Sequence, residues 1–315
     1  MTGNMKGIAC AALATLLAAC GGSGGGMPVA DEADSTPADP AFVADNDAWR
    51  TQRRDDLLQP DGWVSLIGLH WIELPAHYVG SSATSGIRLA KGPEKMGLLQ
   101  QQGGQVFLTP EQDVVLTVDG APAKARFQLL PEGTETPTVV GFDDGKGRIT
   151  LIERGGRKAL RVRHAEAAAL TGLGPLDYWA AHPSWRVEAR FIAHPPGQTL
   201  PIMDMLGHQQ AQPNPGLVEF ERGGSTYHLE ALEGEDGGLF LIFADRTSGH
   251  DSYAAGRYLY TDAPGTDGTV AVDFNRAYNP PCVFTDYATC PLPPPDNRLD
   301  LAVTAGEKRY SKPGV

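Results

Sequence analysis

Asp273 and Asn275 stand two residues apart, on one face of an extended strand, and open a segment dense in polar chemistry. Tyr278 and Asn279 follow, and Asn297 and Arg298 bring the chain back out. Asp245, Tyr253 and Arg257 belong to the preceding hairpin and can lie alongside. Gathered in a cleft, these nine residues would offer a small ligand carboxylates, guanidinium groups, phenols and amides. A hydrolase would use Asp273 or Asp245 as acid or base and Arg257 or Arg298 to hold an anion. The same residue types also serve structure. Asp–Arg pairs bury as ion pairs, and asparagine side chains hold turns and satisfy loop backbone.

The segment needs such support. Residues 273–298 carry six prolines, three asparagines and two cysteines. That proline density suits neither a helix nor a central strand, so an ordered, irregular loop is expected. Cys282 and Cys290 are expected to bridge it as a disulfide, worth about 2.5 kcal/mol by the chain-entropy estimate. Half of a metal site is the competing use. The seven residues between the cysteines and the lack of a nearby histidine count against zinc.

Other constellations are missing their partners. The eight histidines are scattered and form no His-Glu-x-x-His. His164-Ala165-Glu166 opens like a deaminase signature, but no Pro-Cys-x-x-Cys follows. No phosphate-binding glycine loop is present, which argues against nucleotide chemistry, and no cofactor or metal is expected. Trp63, Trp71, Trp179 and Trp185 could stack on a sugar, although strand aromatics more often fill a core. Tyr178-Trp179, after Gly172-Leu173-Gly174-Pro175, reads as an exposed aromatic loop. The formal charge of −12 argues against nucleic acid as a partner.

The elements that must position these residues are mostly strands. With 38 glycines and 25 prolines, the chain suits many short strands and turns. One helix is expected over 46–58, capped by Asp45 or Asn46 and ended by Pro60-Asp61-Gly62, with Trp49, Arg53 and Leu57 on one face. Residues 63–72 alternate as a strand that is apolar on both faces and hence covered on both. Four short strands follow before residue 120, and Gly145, Gly155-Gly156 and Gly223-Gly224 mark hairpin turns farther on. The expected fold class is mainly β: a helix and a sandwich over 46–135, then a larger antiparallel barrel or sandwich over 136–315, ending in a strand at 299–305.

The N-terminus carries an address. Lys6 precedes an apolar run, Ile8 to Leu17, of signal-peptide length, and Leu17-Ala18-Ala19-Cys20 has the form of a lipobox. Residues 1–19 are expected to be a lipoprotein signal, Cys20 the acylated residue and 20–45 a disordered, glycine-rich tether. The protein is therefore expected in the cell envelope, anchored to the membrane on its periplasmic face. Gly22 favours the outer membrane. Partners would be an envelope small molecule, glycan or protein.

Two resemblances follow from particular residues. The strand order over 73–130, with Gly80 after an early strand and Val118-Asp119-Gly120 late, is similar to the forkhead-associated sandwich. That resemblance implies the fold only, because Gly80 is followed by Ser81 and residues 92–104 lack the arginine and histidine of a phosphothreonine site. Pro60-Asp61-Gly62-Trp63, Trp185-Arg186-Val187-Glu188, Asn279-Pro280-Pro281-Cys282 and Cys290-Pro291-Leu292-Pro293-Pro294 resemble the domain of unknown function 1684 family, over about residues 46–310. It implies a shared fold and supplies neither substrate nor catalytic residue.

Overall fold

Asp39 and Pro40 start the helix earlier than the sequence reading placed it. In the computed structural model, which describes residues 37–311, the helix runs Pro40–Leu57. Asp39 accepts the Ala41 amide at 3.0 Å, and proline takes the first helical position, where its missing N–H costs nothing. Residues 40–45, expected as tether, are therefore helical. Asn46 lies inside the helix, and its Nδ2 donates to the Phe42 carbonyl. The signal stretch, Cys20 and the glycine run lie outside the described residues. The described residues fall within one compact unit.

Trp63–Ser65 is a short 3₁₀ turn, and the strand proper is Leu66–Trp71. It edges a six-stranded antiparallel sheet in the spatial order Leu66–Trp71, Arg157–His164, Gly147–Arg154, Val139–Phe142, Leu116–Val118, Ala121–Ala123. A five-stranded sheet faces it, ordered Ile87–Arg88, Ala76–Gly80, Gly97–Gln102, Gln105–Pro110, Phe127–Leu129. Val79, Leu99, Val106 and Leu108 from one sheet pack with Val140, Ile149, Leu160 and Val162 from the other. This is the expected sandwich, but it extends to His164. The Gly147–His164 hairpin, read from sequence as part of the second module, closes the first. Its turn uses Gly155 and Gly156 at φ +55° and +74°, a conformation that favours glycine.

The second module is barrel-like. Its six strands follow the order Arg257–Thr261, Leu239–Phe243, Ser225–Glu233, Gly216–Arg222, Arg186–Ala193, Thr269–Asp273, and the two end strands approach one another. Val218, Leu229, Leu241, Leu259, Val272 and Phe274 fill its interior. Thr199–Met203 and Gln209–Pro213 form a separate hairpin. Residues 299–305, expected as a strand, are irregular. Hydrogen bonds from Leu299 N to the Ala244 carbonyl and from Arg246 N to the Leu301 carbonyl hold them without a regular ladder.

The expected Cys282–Cys290 disulfide is not formed, and both residues are free thiols. The loop is held by other means. Pro281–Val283 makes a 3₁₀ turn, the Cys282 amide donates to Cys290 Sγ at 3.0 Å, and Val283 and Phe284 pack on Leu57 and Val64. Apolar anchoring and backbone hydrogen bonds supply the order that sequence reasoning assigned to a covalent bridge.

Candidate functional site

Strand alternation builds a cleft between the two modules. In Arg157–His164, Leu160 and Val162 point into the sandwich core, so Arg161 and Arg163 face outward. Arg154 comes from the neighbouring strand. In the barrel, Leu239, Leu241, Phe243 and Leu259 point inward, so Phe240, Tyr258 and Tyr260 face outward. Trp63, Tyr278, Arg53 from the helix, and Pro281, Thr289, Cys290 and Pro291 from the proline-rich loop complete the lining. The cavity they enclose is about 270 Å³. A second cavity of about 450 Å³ shares Arg154, Phe240, Thr289 and Pro291 with it, so the two form a continuous cleft toward Asp204 and His208.

The sandwich wall is positive. Arg161 is only 2% exposed. It pairs with Glu132 through NH1, while its Nε has no hydrogen-bond partner among the described residues. Glu132 is shared, since Thr150 Oγ1 donates to it at 2.6 Å and Arg163 lies at 3.6 Å. Burial pulls the Arg161 pKa down to about 10, against the opposing pull of Glu132, so the group remains a cation at neutral pH. Arg154 donates to Thr289 Oγ1 at 3.3 Å and to the Glu153 carbonyl at 2.8 Å. Arg161 and Arg163 thus share one carboxylate, Glu132, within this wall. Arg53 is balanced by Glu307 at 3.2 Å.

The opposite wall is aromatic and neutral. Phe240 and Tyr260 stack at 4.6 Å, and the Tyr258 hydroxyl donates to the Pro291 carbonyl at 2.8 Å. Burial pushes the Tyr258 and Tyr278 phenols well above their ordinary values, so both stay protonated. Arg161 stands 5.3 Å over the Trp63 ring, and Arg53 stands 4.4 Å over Tyr278. Cations beside flat apolar surfaces suit a ligand that has an anionic head and a planar body.

The residues singled out from the sequence take different places, and Tyr278 alone of the nine lines this cavity. Asp245 and Arg257 form a buried ion pair at 2.8 Å, and Arg257 also donates to the Val303 and Ala305 carbonyls. Tyr253 Oη lies 4.0 Å from Cys282 Sγ, and burial raises its phenol to about 12. Asp273 accepts the Asn275 amide at 3.0 Å, and Asn275 Nδ2 donates to the His182 carbonyl at 3.0 Å. The Asn279 backbone amide donates to the Glu307 carboxylate at 2.8 Å, and its Nδ2 donates to the Lys308 carbonyl. Asn297 joins two barrel strands through Glu230 and Ile242. Arg298 is exposed. Tyr178 and Trp179, expected to project from a loop, are half-buried: Tyr178 donates to Glu307, and Trp179 packs 5.1 Å from the Arg257 guanidinium.

Arg154, Arg161, Phe240 and Tyr260 were missed. Their signal was present. Leu239–Phe243 is apolar at every position, which implies cover on both faces, and arginines opposite such a face are out of place unless they meet a ligand or an acid.

The fold and the cleft define a mainly β protein whose barrel-like module carries an aromatic face opposite an arginine-bearing sandwich. Residues 172–308 match the model of the family described as protein of unknown function (DUF1684), which supports membership of that family. The match spans the barrel and the proline-rich loop, a shorter stretch than the 46–310 over which the sequence shows its resemblance. The chain is similar to the solution NMR structure of an uncharacterized protein of Haloarcula marismortui. There the identity is 33%, with 43% of this chain and 77% of that chain covered, at a TM-score of 0.36. It is also similar to the N-terminal FHA domain from EssC, a component of the bacterial Type VII secretion apparatus. That match has 16% identity and covers 31% and 46% of the two chains, at a TM-score of 0.25. No curated protein matches.

Proposed function

We propose that this protein binds a small anionic molecule with a flat apolar body in the inter-module cleft, and does so as a lipid-anchored protein of the cell envelope. Arg161 carries the reading. It is buried, its Nε is unpartnered, and it faces a cavity walled by Trp63, Phe240 and three tyrosines. A buried guanidinium with a spare donor is costly unless an acceptor arrives, and a ligand carboxylate or phosphate supplies one.

Binding is favoured over hydrolysis by the way the acids are used. Asp245 is closed in with Arg257, and Asp273 is engaged as a turn cap by Asn275. Neither lines the cavity that Arg161 faces, and Asp273 instead lines a neighbouring cavity of about 260 Å³ beyond Tyr260 and Tyr278. The anchor rests on Leu17-Ala18-Ala19-Cys20 and the glycine-rich stretch after it. Calorimetric titration with phenyl phosphate and 2-naphthoate tests the binding, and fatty-acid labelling at Cys20 tests the anchor.

A further inference from the structure

Cys290 lines the anion cavity, but anion binding gives no reason for a second sulfur, Cys282, beside it. Both are free, and the Cys282 amide already points at Cys290 Sγ, 3.0 Å away. Tyr253 Oη approaches Cys282 Sγ at 4.0 Å, and Tyr258 stands beside Cys290. The Cys282 amide and the Tyr253 hydroxyl are thus donors aimed at the two sulfurs. Among the described residues no third histidine, cysteine or carboxylate joins them, so a tetrahedral zinc site cannot be completed from these side chains.

We propose that Cys282 and Cys290 form a two-sulfur site for a soft monovalent cation of the copper(I) class. Two thiolates without oxygen or imidazole ligands select soft cations and disfavour zinc, calcium and magnesium. In forming the site both thiols release their protons to solvent and two sulfur–metal bonds form, with no change of oxidation state. The product, two thiolates on one monovalent cation, carries a net negative charge. Arg161, which lines the same cavity as Cys290, compensates it. Two exposed thioethers lie close by in the chain fold. Met203 and Met205, 48% and 43% exposed, flank Asp204, and their backbones hydrogen-bond to Leu292 and Cys290.

The test is competition for copper(I) against a chromogenic bidentate chelator, with the protein fully reduced and oxygen excluded. Wild-type protein is expected to withdraw one equivalent from the chelator. Affinity should rise with pH because two protons leave. Zinc at the same concentration should not compete. Cys282→Ser and Cys290→Ser should each abolish stoichiometric withdrawal, with circular dichroism reporting whether each variant is folded. Folded wild-type protein that withdraws no copper overturns the proposal, as does undiminished withdrawal by the Cys282→Ser, Cys290→Ser double variant. Failure here leaves phenyl phosphate binding intact, so the two readings fail separately.

Discussion

Replacing Asp245 by alanine would expose how the proline-rich segment is held. The carboxylate faces Arg257 at 2.8 Å with both side chains at most 1% exposed, and it accepts the Thr247 amide at 2.8 Å and the Val303 amide at 3.2 Å. Without it, Arg257 would remain buried as a cation with only carbonyl oxygens around it. Breaking a buried pair from one side costs about 3–5 kcal/mol. Two orphaned buried amides add about 1 kcal/mol each, for a total of roughly 5–7. At about 2–4 °C per kcal/mol for a chain of this size, the melting temperature should fall by roughly 10–28 °C. Scanning calorimetry of the purified protein measures it. Asp245→Asn, which keeps the shape and loses the charge, should fall between wild type and alanine. A change of less than about 3 °C, or a rise of the kind expected for residues held at a cost for function, would refute the reasoning.

Asn297→Ala removes one acceptor and two donors that tie the Glu230 backbone and the Ile242 carbonyl together. Loss of about 2–4 kcal/mol should appear as a lower urea midpoint, and an unchanged midpoint would contradict the bracing role. The hydrogen bond from Cys290 holds the Cys282 thiol below the ordinary thiol range, while that same contact and burial push Cys290 far up. A lowered pKa means more thiolate at a given pH, so iodoacetamide should modify Cys282 first, and at lower pH than a free thiol. Peptide mass spectrometry showing Cys290 labelled first would reverse that order. Palmitate labelling in cells should mark the wild-type protein and vanish in Cys20→Ala, and label retained in the variant would remove Cys20 as the lipid site.

Much of the fold was legible because strand patterns are local. The Gly155-Gly156 and Gly223-Gly224 turns fall where the sequence places them, between Gly147–Arg154 and Arg157–His164 and between Gly216–Arg222 and Ser225–Glu233. Asp39-Pro40 carries the signature of a helix start, but the surrounding Pro, Ala and Asp composition reads as tether, and the sequence reading places the cap at Asp45 or Asn46 instead. The site was legible only in part, because it depends on how two modules face each other. Asp245, Asn275 and Asn297 are polar residues in an irregular region, and that pattern fits backbone support as well as it fits a ligand. Their hydrogen bonds show backbone support. Glu307 has no local pattern that marks it, yet it gathers Arg53, Tyr178 and the Asn279 amide from three distant stretches. Arg161 looked like an ordinary strand arginine until the aromatic face of the barrel closed over it.

The most direct test of the central claim is calorimetric titration of 2-naphthoate and neutral 2-naphthol into wild-type protein and Arg161→Met, at low and high salt. Glu132 keeps Thr150 and Arg163 in the variant, so the sandwich retains a partner for that acid. Naphthoate should bind the wild type more tightly than naphthol, and added salt should weaken it. In Arg161→Met, loss of a charge-assisted hydrogen bond worth about 1.5–3 kcal/mol should weaken naphthoate by about 10- to 150-fold and leave naphthol nearly unchanged. Equal binding of the two ligands, or full naphthoate affinity in the variant, would contradict the assignment of this cleft as an anion site.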